Sequence, residues 1–210
     1  MNDLQYIQHL VSQGEHQQQD FKYKVQDAAK LARSVSAFAN TEGGRLLIGV
    51  RDDGHLSGVR SDEEIFMMHQ AAMKYCRPQP AIRFDTYHVG GRTIVVCTVP
   101  PCEHRPVFAI DDEGKKRAYI RIADENIVAS PVHIALWRQE SSANGTLIHY
   151  GDDEQRLMST LAGKQLPLNP LVRRCRLPRH RVVTTLARFV RYGLVKCRYV
   201  DQQFLFSLTN

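Results

Sequence analysis

The spacing of apolar residues changes period repeatedly along the chain, and each change marks an element. Leu4, Ile7, Leu10 and Val11 recur at helical spacing, which predicts a helix over 3–13 stopped at Gly14. Phe21, Tyr23 and Val25 alternate with polar residues, as a short strand does. Ala28, Leu31, Val35, Phe38 and Ala39 return to the helical period and predict a helix over 27–40. The run Leu46-Leu47-Ile48-Gly49-Val50 shows no alternation, the pattern of a strand covered on both faces. Between helix and strand lies Asn40-Thr41-Glu42-Gly43-Gly44, whose glycines allow positive φ or a close backbone approach. An acidic turn, Asp52-Asp53-Gly54, closes the stretch.

Farther on, Ile65, Met68, Ala72 and Tyr75 predict a helix opened by Asp62-Glu63-Glu64, acids that suit a helix N-terminus. Pro78 and Pro80 end it. Residues 81–88 and 92–99 form a predicted hairpin around Gly90-Gly91. Short strands are expected at 106–110 and 118–122, and a short helix or irregular run at 132–137, with Trp137 as a core anchor. The segment 139–145, QESSANG, lacks periodicity and reads as a linker. The expected division is therefore a domain over 1–140, a linker over 141–150 and a second domain over 151–210.

The second domain has its own pattern. Helices are predicted over 152–161 and 168–175, and a third over about 178–191 with Pro178 at its first position. In that third helix Val182, Val183, Leu186, Phe189 and Val190 share one face, while Arg181, Thr184 and Arg188 occupy the other, flanked by His180 and Arg191. Residues 194–199 and 203–208 then pair as a hairpin about Asp201-Gln202. Three helices followed by a hairpin describe a winged helix-turn-helix, whose third helix enters the major groove of a duplex.

Charge strengthens that expectation. The whole chain carries a formal +6, yet 167–210 alone holds nine cations against one acid, Asp201. These cations are Arg173, Arg174, Arg176, Arg179, Arg181, Arg188, Arg191, Lys196 and Arg198; with Thr184 they form the expected nucleic-acid contacts. Composition is globular, at 43% hydrophobic and 24% charged, and no run reaches the roughly 18 apolar residues of a membrane span. The polar, amphipathic start shows no secretory signal. Cys76, Cys97, Cys102, Cys175 and Cys197 are odd in number and include no Cys-x-x-Cys pair, which suits free thiols in a reducing cytoplasm.

In the first domain the candidate chemistry is acidic. Glu15, Asp20 and Asp52 lie beside predicted element ends; if the strand after Asp20 pairs beside 45–50, they could converge on a divalent metal for phosphodiester hydrolysis. The histidines lack zinc-ligand spacing and no Gly-x-Ser-x-Gly is present. Gly43-Gly44 precede the strand and lack the Lys-Ser/Thr pair of a P-loop, which argues against a nucleotide site.

Residues 15–122 resemble the AlbA-like domain of the Schlafen class. The resemblance rests on Asp20-Phe21-Lys22, Ala37-Phe38-Ala39-Asn40-Thr41-Glu42-Gly43-Gly44, Leu47-Ile48-Gly49-Val50, Asp52, Gly54, Gly58 and Tyr119-Ile120-Arg121. It implies an α+β fold with a mixed sheet, which in bacteria commonly precedes a winged helix in proteins described as transcriptional regulators or helicase-like. Animal relatives include RNA-cleaving enzymes with three acids, which by motif position fall on Glu15, Asp20 and Asp52. The chain departs from the family in having Asp20 where Glu is usual, His16 after Glu15, and Ile122–Asn126 in place of a Gly-Ser/Thr-rich turn. The expected function is a cytoplasmic transcriptional regulator that binds double-stranded DNA, without a cofactor, as a homodimer. The alternatives are a Mg- or Mn-dependent nuclease acting on RNA or single-stranded DNA, and a docking scaffold without chemistry.

Overall fold

The computed structural model describes residues 2–59, 62–141 and 150–209; most of the predicted linker, 142–149, lies outside the described residues. The chain divides into two compact units, Met1–Val128 and Ala129–Asn210.

The first unit runs α1 (Asp3–Ser12), β1 (Gln19–Lys22), α2 (Ala28–Asn40), β2 (Gly44–Ile48), α3 (Asp62–Met73), β3 (Cys76–Arg77), β4 (Arg83–Val89), β5 (Arg92–Val99), β6 (Phe108–Ile110), β7 (Lys116–Ile122) and β8 (Glu125–Val128). One sheet has the order β1-β2-β5-β4, with β1 parallel to β2 and the other pairs antiparallel. The other, β3-β6-β7-β8, is antiparallel throughout. β1 is shorter than the alternation suggested: Tyr23 and Val25 lie beyond its end, and Gln19, Asp20 and Phe21 are all buried. Gly90 and Gly91 both take positive φ, as the tight β4–β5 turn requires.

The unbroken apolar run of β2 has the expected cause, since each face of its sheet is covered. Leu46 and Ile48 pack with Val95, Cys97 and Val99 into the core built on α2, whereas Leu47 packs with Ile94, Val96 and Phe21 against Ile7 and Leu10 of α1. Eleven of the thirteen α2 residues are buried and only Lys30 and Arg33 reach solvent, so the rest of this helix works as an internal layer. Ser36 and Asn40, polar and buried, are matched by partners in the second sheet and beside it. Asn40 Nδ2 donates to the carbonyls of Val107 (2.8 Å) and Tyr119 (2.9 Å), and its Oδ1 accepts from Val107 N–H at 2.7 Å. Ser36 Oγ donates to the Val107 carbonyl and accepts from Tyr119 N–H. Two side chains thus fasten α2 to the second sheet.

The glycines after Asn40 serve packing. A Cβ on Gly44 would stand 2.3 Å from the Phe38 ring. Gly43, at φ +75°, lies so near β5 that a Cβ would meet the Val99 carbonyl at 2.8 Å, and its N–H donates to the Phe38 carbonyl at 3.0 Å. The helix can reverse into β2 with Phe38 folded beneath it only if no side chain stands there.

The second unit contains α4 (Pro131–Glu140), α5 (Asp152–Leu161), β9 (Leu166–Pro167), α6 (Leu168–Cys175), α7 (Arg179–Arg191), β10 (Val195–Val200) and β11 (Gln203–Leu208). Its antiparallel sheet has the order β10-β11-β9. Val182, Leu186 and Phe189 of α7 meet Leu157 and Leu161 of α5, Leu171 of α6 and Phe206 of β11 in one core. Pro178 caps α7 from just outside, one position earlier than expected. The break between units falls ahead of α4, not after it as the linker-like composition of 139–145 suggested. Val132 belongs to the second core, Trp137 is buried, Gln139 Nε2 donates to the Thr184 carbonyl and Arg191 Nη1 to the Gln139 carbonyl. These contacts make α4 part of the second unit.

Replacing Asn40 by Ala leaves the buried Val107 N–H without its acceptor and takes a donor from the Tyr119 carbonyl, while the Val107 carbonyl keeps Ser36 Oγ, and is expected to cost about 2 kcal/mol or more in urea unfolding. Gly44→Ala forces the Phe38 ring aside, at about 1–3 kcal/mol. Unchanged midpoints for both would refute this account of the motif.

Candidate nucleic-acid interface

The turn between α1 and β1 carries Glu15, whose Oε1 accepts from Phe21 N–H at 2.8 Å. Asp20 projects from β1 and is 4% exposed. Lys22 Nζ lies 2.7 Å from its Oδ2 and Arg121 Nη2 3.3 Å from its Oδ1. Arg121, on β7, is itself buried: Nη1 donates to Asn126 Oδ1 at 3.0 Å, Nη2 to the Gln19 carbonyl at 3.2 Å, and the guanidinium stacks 5.2 Å from the centre of the Phe38 ring. Burial, then a hydrogen bond toward Asp20, raises the Glu15 carboxyl above its ordinary value. The cause is plain: a protonated Glu15 can donate to a neighbouring carboxylate, and a charged one faces it.

The structure brings Glu15 and Asp20 together but not Asp52. In the parallel register Asp20 stands opposite Leu46, well inside β2. Asp52 comes after that strand has ended and Gly49, at φ +90°, has turned the chain; it sits on an exposed turn closed by Gly54 N–H to the Arg51 carbonyl. Among the described residues no three His, Cys, Asp or Glu side chains form a group that could hold a metal. The donor chemistry fits no better, because the Asp20 carboxylate already faces two cations. Among the described residues Glu15, Asp20 and Asp52 thus do not form the expected three-acid group. Burial pushes the thiols of Cys76, Cys97 and Cys197 up to about 12, which keeps these three protonated and unreactive.

The cations of the second unit fall into two groups. Arg173, Arg174 and Arg176 are exposed at the end of α6, where positive charge suits the helix dipole. Arg179, His180, Arg181 and Thr184 are exposed over the first turns of α7, whose own first turn contains no acid. Lys196 and Arg198 are exposed on β10. Arg188 differs from its expected role. Its side chain is 17% exposed and its Nη2 lies 2.6 Å from Glu154 Oε1, itself on a side chain 8% exposed. Arg191 is half-buried against α4. Arg181 Nη1 reaches Asp153 Oδ2 at 2.8 Å, and Arg179 Nη1 donates to Asn169 Oδ1 at 2.6 Å. The acids opening α5 thus partner the cations of α7. Helical periodicity placed Arg181 and Arg188 on one polar face but carried no sign that Asp153 and Glu154 would meet it.

Two predictions follow from these environments. Glu15→Gln keeps the acceptor for Phe21 N–H and offers a donor toward Asp20. Because the folded Glu15 pKa is raised, its favourable contribution is present at low pH and is lost as pH rises through that value. Thermal scans from about pH 4 to about pH 7 should show the variant gaining on the parent as pH rises; a gap that is constant or shrinks would refute this. Arg188→Ala leaves Glu154 buried without its partner and should cost about 3 kcal/mol, whereas Arg181→Ala, at an exposed pair, should cost under about 1 kcal/mol. Equal losses in denaturant unfolding would count against the distinction.

A family model described as "Schlafen, AlbA_2" matches residues 15–130, more than half of the chain. No curated protein matches it. Among solved structures, the DIP2311 protein of Corynebacterium diphtheriae is 19% identical with a TM-score of 0.49, over 90% of this chain and 34% of that one. This chain therefore spans about a third of that protein. The N-terminal domain of a RecG-related protein of Nitrosomonas europaea, described in relation to an ATP-dependent DNA helicase, is 21% identical with a TM-score of 0.44, over 72% of this chain and 97% of that one. With the motif of α2 and β2 and the Asp20–Arg121 pair inside the matched span, the chain belongs to the Schlafen AlbA_2 family.

Proposed function

We propose that the chain is a nucleic-acid-binding protein that docks on duplex DNA through its second unit, a winged helix-turn-helix, and acts as a transcriptional regulator. The observation that carries this reading is the segregation of charge. Residues 129–210 hold twelve Lys and Arg against five Asp and Glu, a net +7, which leaves the first unit slightly acidic. Exposed cations at the end of α6, over the start of α7 and on β10 supply phosphate neutralisation. On this reading the exposed Thr184 of α7 meets base edges, and Arg181 joins it by exchanging Asp153 for the duplex. A homodimer would offer two such units to two half-sites.

Fluorescence anisotropy with the full chain tests the reading. Affinity for duplex DNA should fall about a hundredfold between about 50 and 200 mM salt, as displacement of roughly four counterions demands. Duplex RNA should bind more weakly, because its major groove is too deep and narrow for α7. Absence of duplex binding at low salt would overturn the proposal.

A further inference from the structure

Three cations of the second unit stand outside the pattern of pairs around α7. At the end of α5, Gly163 takes φ +64° and the Lys164 N–H donates to the Leu161 carbonyl at 2.9 Å, closing a tight turn. That turn sets Lys164 and Gln165 beside the outer face of the hairpin. Lys196 and Arg198 alternate with inward-facing Val195 and Cys197 on β10, and Ser207 stands opposite Lys196 on β11. Together these residues line an open cleft of about 380 Å³ whose described lining residues include no Asp or Glu. Among the described residues no ion pair engages Lys164, Lys196 or Arg198, whereas Arg181 and Arg188 each have an acid.

Three uncompensated cations around one concavity repel one another, and an anion in their midst would relieve that repulsion. The hairpin tip, by contrast, carries Asp201, with Asp201 and Gln202 both at positive φ. A phosphate is thus drawn to the middle of the strands and repelled at their turn. We propose that this cleft is a phosphate-binding site, in which Lys164, Lys196 and Arg198 supply charge-assisted donors and Ser207 and Gln165 neutral ones. Its occupant is a backbone phosphate of a nucleic acid, which rests on the function proposed above, or a phosphate carried by a small ligand. In the first case the strand would cross the outer face of the sheet, apart from the groove that receives α7.

The test uses the full chain and a Lys164→Gln/Lys196→Gln/Arg198→Gln variant, whose exposed substitutions relieve the mutual repulsion and should not lower Tm in buffer. Duplex affinity is measured by anisotropy across a salt series. In parallel, Tm is followed as inorganic phosphate replaces chloride at constant ionic strength. For a backbone phosphate the variant should bind duplex about tenfold or more weakly near 0.1 M salt, and its log–log salt slope should be shallower by about two to three. For a small phosphate ligand, phosphate should raise the parent Tm and not that of the variant, with the duplex slope unaltered. A variant equal to its parent in both measurements overturns the site while leaving duplex binding intact. A parent that binds no duplex but is protected by phosphate through these residues defeats the nucleic-acid reading and keeps the cleft.

Discussion

The first unit depends on a guanidinium that has almost no contact with water. Arg121 has a side chain only 1% exposed, and leaving such a charge unpartnered in an interior would cost several kcal/mol. It is met by Asp20, by the Gln19 carbonyl, by Asn126 and by the face of Phe38. Those partners come from β1, from β8 and from α2, so satisfying one side chain requires the two sheets and the helix between them to be in place together. Asn126 Nδ2 carries the network on to Ser34 Oγ of α2 at 2.9 Å. Asn40 and Ser36 then bind the same helix to Val107 and Tyr119. Apolar contacts supply the attraction among these layers, and the polar chain selects one register for them.

That requirement changes the meaning of the acids. Asp20 lies where phosphodiester chemistry was expected, but its neighbours are those of a structural ion pair. A carboxylate held between Lys22 and Arg121 already has two fixed cationic partners, and a divalent ion would have to compete with both. Glu15 is the more adaptable group. It is half-buried, accepts from the Phe21 N–H and faces the acid of Asp20, toward which its protonated form can donate.

Much of this fold was legible because its periods are strong. The all-apolar β2, the Gly90-Gly91 hairpin, the amphipathic α7 and the paired hairpin beyond it each follow from local chemistry. The failures are equally local in origin. β8 was missed because Ile122–Asn126 was read as a departure from the family turn; in fact Ala123, at φ 52°, and Asp124 make a tight reversal that brings Asn126 opposite Arg121. α4 was assigned to the wrong unit because its attachment consists of Val132, Trp137 and Gln139 meeting residues far along the chain. The role of Asn40 could be recognised as part of a motif, yet its reason could not, since the carbonyls it satisfies belong to Val107 and Tyr119. Asp52 shows the same limit: adjacency to a strand end says nothing about direction once Gly49 has turned the backbone.

Charge in the second unit is arranged on two principles, and the difference between them is what makes a functional surface recognisable. Around α7, Arg181 and Arg188 are answered by Asp153 and Glu154, acids that also suit the N-terminus of their own helix α5. A cation fixed in this way contributes to the shape and stability of the unit, and for Arg188 little of it remains to offer a ligand. Along α6 and β10 the cations are exposed, and among the described residues no ion pair engages Lys164, Lys196 or Arg198. Stability alone would favour replacing one of those three with an acid, since like charges in one concavity raise the energy of the folded state. A count of arginines treats both groups alike. Their partners separate the charge that builds the unit from the charge left available to a polyanion, and the second kind lies as much on the sheet as on the helix.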